Sequence, residues 1–140
     1  MAGRRAALAW AIALGGVGAL PVSAEPLLTL VAGAATLEVP RAAVTSIDIS
    51  ESGGITDIFV RLGPSASEGL AGLTEGSAGA RMQVMVCGAV MLDAPARDRI
   101  GSGTIYIPGT NAVRAEALRA VWQGRASCDT LAPEVFEHGN

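Results

Sequence analysis

"ARMQVMVCGAVMLDAP", residues 80–95, decides how the chain reads. Met82, Val84 and Val86 alternate with Gln83, Met85 and Cys87, the period-two pattern of a strand with one buried side. After Gly88 a second apolar run returns and stops at Pro95. Two such runs around a two-residue corner make a β-hairpin. A cysteine at its tip is open to three roles: nucleophile, metal ligand, or half of a cross-link.

The flanking sequence supplies the partners this hairpin needs. Residues 27–39, LLTLVAGAATLEV, hold two β-rich runs around Ala-Gly-Ala and form another hairpin, ended by Pro40. This hairpin is expected to leave an open sheet edge, which an extended chain can pair with whatever its side chains. SIDIS (46–50) and ITDIFVRL (55–62) flank Glu-Ser-Gly-Gly, a turn in which glycine supplies positive φ. In the second of these runs Ile58, Val60 and Leu62 share one face, and Asp57, Phe59 and Arg61 the other. A helix is predicted from residue 64, with Ser65 and Glu68 in capping-box spacing and Ala66, Leu70 and Leu73 at helical intervals. Gly69 and Gly72 weaken it by about 1 kcal/mol each relative to alanine. Residues 96–103 are a charged loop and 104–109, TIYIPG, a short strand. Asn111 caps a last helix over 112–123, with Gly124 just beyond its end. Val113, Ala117 and Val121, with Leu118 and Trp122 beside them, form its apolar stripe. The order is β-β-β-β-α-β-β-β-α, and the strand–helix–strand step in it implies a parallel crossover. The expected fold class is α+β: a mainly antiparallel sheet with two helices packed on one face, ferredoxin-like.

Compartment follows from the N-terminus. Arg4 and Arg5 precede an apolar run over 6–20, and Val22-Ser23-Ala24 fits a small-x-small cleavage rule. Residues 1–24 therefore read as a secretory signal peptide, with residues 25–126 as a single domain and 127–140 as a flexible tail. The expected location is periplasmic or secreted. Of 140 residues ten are basic, all arginine, and thirteen acidic. Loss of the two leader arginines leaves eight basic residues, a balance of −5. No basic run appears, which speaks against nucleic acid. No later segment is long and apolar enough for a stable membrane span after cleavage.

Export places Cys87 and Cys128 where disulfides persist. Pairing requires their Cα atoms within about 7 Å; the other reading is two separate thiols. A Cys-His nucleophile lacks a mounted base, because His138, the one histidine, lies in the tail. Two cysteines and one histidine at wide spacing match no zinc pattern. Ser77 and Ser102 stand among glycines without Gly-x-Ser-x-Gly, and no glycine set is arranged to cradle phosphate. Asp48, Asp57 and Asp93 occupy outward strand positions. No catalytic, cofactor or metal residue is assigned. A binding surface is instead sought around the hairpin: Met82, Met85 and Met91, whose side chains adapt to varied partners or fill a core poor in aromatics, and Arg97 and Arg99 of the charged loop.

Residues 44–125 resemble the first periplasmic head subdomain of SecD, a subunit of the bacterial protein-export translocase. The resemblance rests on an ordered series. It begins with Phe59-Val60-Arg61-Leu62 before a helix and continues with Gly79-Ala80-Arg81 and then Gly88-Ala89-Val90 through Pro95. Ile100-Gly101-Ser102-Gly103, Ile107-Pro108-Gly109 and an Ala/Leu-rich helix from Ala115 to Gly124 complete it. The family's Asp before the hairpin glycine is Cys87 here, and the six transmembrane helices of the translocase subunit have no counterpart. The resemblance implies a detached head domain that touches protein: an unfolded client or an envelope partner, in protein export or envelope quality control, without enzymatic activity. The alternatives are a small-ligand-binding or inhibitor module reusing the fold, and a structural subunit of an envelope assembly.

Overall fold

Three hairpins account for six of the seven strands of the computed structural model, which describes residues 26–77, 79–96, 100–131 and 135–136. β1 (Leu28–Ala32) turns into β2 (Ala35–Val39), β3 (Val44–Ser52) into β4 (Ile55–Leu62), and β5 (Arg81–Val86) into β6 (Ala89–Pro95). A two-residue connection suits the right-handed twist only with mirror-image turns. Cys87 and Gly88 supply one, with φ of 52° and 81°. Cys87 is the one residue other than glycine with positive φ among the described residues. β7 (Thr104–Thr110) and the helices α1 (Pro64–Gly76) and α2 (Ala112–Trp122) complete the fold.

The class is α+β and every strand pairing is antiparallel, but the strands form two sheets where one was expected. The first has the order β2-β1-β5-β6 and the second β3-β4-β7. The expected parallel crossover is absent from the described strand pairs. α1 carries the chain from the second sheet to the first, where β5 pairs antiparallel with β1. The strand order therefore departs from a single ferredoxin-like sheet.

Alternation sets the inner faces. Leu28, Leu30, Val84 and Val86 of the first sheet, and Ile58, Val60, Ile105 and Ile107 of the second, are buried in one cluster with Leu70 of α1 and Leu118 of α2. α1 lies against β2 and β4, and α2 against β3 and β4. Thr74 of α1 is buried and accepts a 2.8 Å bond from the Ile100 backbone N–H, fixing the loop after β6. Phe136 is also buried, so the segment read as a loose tail contributes to the core.

The helix ends differ from expectation in one case. The capping box does not form: Gly63 is the N-cap of α1, Pro64 opens the helix, and Ser65 lies inside its first turn. The Ser67 hydroxyl turns back to the Leu62 carbonyl instead. In α2, Asn111 Oδ1 accepts from the Arg114 N–H at 2.9 Å, as its sequence suggests. Bonds from Gly124 N to Val121 O and from Arg125 N to Ala120 O close the other end in a Schellman motif, with Gly124 at φ 80°. The apolar stripe shifts: Val113 is 67% exposed, and Ala115 is buried in its stead.

Candidate polypeptide-binding edge

Cys87 and Cys128 form a disulfide, with Cα atoms 5.4 Å apart. It ties the β5–β6 tip to the Ser127–Thr130 turn beyond α2. Met82 and Met91 are buried and serve as core filling. Met85 is half-buried on the opposite face of β5, so the three methionines do not share a surface. Arg97, Arg99 and His138 lie outside the described residues, as do residues 1–24, for which a signal peptide is expected.

The three strand aspartates separate. Asp93 takes a 2.7 Å ion pair from Arg81 and a 3.3 Å bond from Gln83 across the β5–β6 pair. The Arg81 bond, then the Gln83 bond, hold its carboxyl below the usual carboxylate range. Asp57 accepts from the Tyr106 hydroxyl at 3.1 Å and from the Gly109 N–H at 3.0 Å. Phe59 stacks on Tyr106 across β4 and β7, with ring centroids 4.9 Å apart. Desolvation, then the Asp57 bond and charge, push the Tyr106 phenol up. At neutral pH it is therefore a fixed donor. Asp48 is exposed on β3. Among the described residues no three His, Cys, Asp or Glu side chains gather as a metal site.

What the fold does present is a sheet edge. A strand with one neighbour offers unpaired backbone groups, and proteins blunt such edges with proline, bulges, charge or a covering element. Each sheet has two edges, and three of the four carry a proline or a bulge. β6 ends in Pro95 and bulges at Met91, where the register slips between Val84–Leu92 and Met85–Val90. β7 contains Pro108, which has no N–H. β3 bulges between Val44 and Ser46, lies against α2, and receives the Trp122 indole N–H on the Val44 carbonyl at 3.2 Å. β2 (ATLEV) holds no proline or bulge, and its register with β1 is unbroken over five pairs; it carries one exposed charge, Glu38, and its inner face lies against α1.

The pairing of Ala32 with Ala35 beside the two-residue turn sets the hydrogen-bond alternation. The backbone N–H and C=O groups of Thr36 and Glu38 therefore face away from β1. Both residues are exposed. Leu37 points to the inner side and seats on Gly69 of α1, where an alanine Cβ would come within 2.9 Å of Leu37 Cδ1. That contact explains a glycine which the helix pattern alone makes a liability.

A recess lies at each end of the β1–β2 hairpin. At the start of β2 a hollow of about 480 Å³ is lined by Gly33, Ala34, Ala35, Gly76, Ser77 and Ala80, together with Ala32. Just past its end a cleft of about 410 Å³ is lined by Leu27, Pro40, Arg41, Val121, Ala126 and Cys128 among others. The open edge was visible in the sequence as a hairpin lacking an outer partner. The recesses were not, since their walls come from segments far apart along the chain. Arg41 was missed although it stands two residues after the edge strand.

The chain matches no protein-family model and no curated protein. Among solved structures it is similar to SecDF, a membrane component that enhances protein export, with TM-score 0.52 and 18% identity over 64% of this chain and 41% of that one. SecDF in its super-membrane-facing form gives TM-score 0.52 and 17% identity, over 64% of this chain and 12% of that one. The chain thus spans less than half of either SecDF chain. At this identity the likeness is one of fold: the chain has a SecDF-like α+β fold. No helix among the described residues is long and apolar enough to cross a membrane.

Proposed function

We propose that this is an exported protein-binding module related in fold to the SecD head. It holds unfolded polypeptide in extended form during export or envelope quality control. The β2 edge, uninterrupted by proline or bulge, carries this reading. Main-chain pairing supplies affinity without regard to client sequence, and recesses beside the edge accept alternate side chains. The SecDF-like fold supports a place in protein export, and the disulfide is consistent with an extracytoplasmic location. The leader-like residues 1–24 support periplasmic delivery, and the protein is read as non-enzymatic.

The test is photo-cross-linking to a carboxymethylated, permanently unfolded polypeptide from a probe placed at Glu38. Capture is expected at the edge. Thr36→Pro removes an outward N–H that the β1–β2 ladder does not use, so it should abolish capture while the fold persists. Capture that Thr36→Pro leaves unchanged, or no capture at micromolar protein, rules the edge out.

A further inference from the structure

The two recesses at the ends of β2 are chemically unlike, and the difference gives the edge a direction. The hollow at the start of β2 is walled by glycine and alanine with one serine, and that serine hydroxyl is engaged with the Ala32 carbonyl at 3.3 Å. It offers space for a side chain and little polar chemistry. The cleft at the other end joins apolar walls (Pro26, Leu27, Pro40, Val121, Ala126) to one cation, Arg41, with no carboxylate among its described lining residues.

Arg41 has no ion pair with a described carboxylate. Its guanidinium lies along the end of α2: a Cβ at Gly124 would come within 2.8 Å of Nη1. The glycine that the Schellman turn requires also makes room for this side chain. The opposite wall does not drift, because Cys128 is bonded to Cys87 and the Ser127 N–H is held by Thr130 Oγ1 at 2.9 Å. A cation unpaired among the described residues, over an apolar cleft, is complementary to a single anion attached to an apolar group. An arginine fork matches a carboxylate in particular.

We infer that the β2 edge receives the C-terminal end of a polypeptide. The chain runs parallel to β2, with its terminal carboxylate on Arg41, its last apolar side chain in the Pro40–Val121 cleft, and an upstream side chain in the Gly33–Gly76 hollow. The five residues of β2 span about 17 Å, the reach of a strand of equal length. Parallel pairing is slightly the weaker of the two kinds, and the carboxylate contact offsets that. This inference rests on the proposed polypeptide-binding edge and adds what that reading leaves open: a chain end is preferred over a chain interior.

The test uses a fluorescein-labelled seven-residue peptide of β-forming residues ending in leucine, with a free carboxylate or as the amide, titrated by anisotropy. The free acid should bind at least about tenfold more tightly than the amide, the scale of one charge-assisted bond. Arg41→Gln, an exposed change that leaves the core untouched, should remove that preference by bringing the acid down to the level of the amide. Equal binding of acid and amide overturns the chain-end inference and leaves the edge reading standing. Binding of neither overturns both. Binding of decanoate in the cleft when neither peptide binds would assign it to a lipid and likewise overturn the proposal.

Discussion

The two sheets solve the same problem differently. The second, β3-β4-β7, closes itself off: one edge is bulged and lies against α2, the other carries a proline, and its outer face is fixed by the Phe59–Tyr106 stack and Asp57. The first, β2-β1-β5-β6, is fastened at one side by the Cys87–Cys128 bond and Met91 bulge and is uninterrupted by bulge or proline at the other. The contrast teaches that exposure at β2 is selective. The chain interrupts three of its four sheet edges with a bulge or a proline and leaves β2 uninterrupted.

The largest effect that would sharpen this contrast comes from replacing both cysteines by serine. Loss of a bond closing a loop of this length should cost about 4 kcal/mol in the chain-entropy account, read by denaturant unfolding. Amide exchange should accelerate first at the β5–β6 tip of the first sheet and leave β4 protected. Equal acceleration in both sheets would mean that the bond fastens the whole molecule.

Next is the second sheet's own lock. Asp57→Asn keeps the size but removes the charge facing Tyr106, and should cost about 1 kcal/mol. Because the Asp57 bond and charge raise the Tyr106 phenol, its titration followed by absorbance should move back down toward the ordinary tyrosine value. An unmoved titration would leave desolvation as the whole cause.

The smallest effect separates two glycines in one helix. Gly72 faces open space, so Gly72→Ala should stabilise by up to about 1 kcal/mol through helix propensity. Gly69→Ala gains the same propensity but drives its Cβ against Leu37 of β2, and should stabilise less or not at all. Equal gains would show that β2 rides loosely on α1 and that the edge is not held in place from below.

Local chemistry made much of this fold readable. The Cys87–Gly88 and Gly53–Gly54 corners, the Asn111 cap and Gly124 each act within a few residues, so their sequence neighbourhood suffices. The division into two sheets was hidden because it depends on β5 choosing β1, across β2, β3, β4 and α1, and alternation in a strand says which face is buried without naming the neighbour. Ser65 misled because Pro64 takes the first helical position and moves the cap to Gly63. Val113 has the right period but sits in the exposed first turn of α2. Of the candidate site, the open edge was foreseeable. Arg41 was not, since a lone arginine after a proline acquires meaning only when Val121 and Cys128 arrive beside it.

The three short corners also bear on how the molecule reaches its native form. Six strands find their first partner next to them in sequence, so the pieces can zip up early and independently. Two distant dockings then remain, β1 onto β5 and β7 onto β4. Such dockings cost more loop entropy and set the pace. Since Cys128 follows every strand, oxidation can seal the assembly only after the C-terminal helix has come into place.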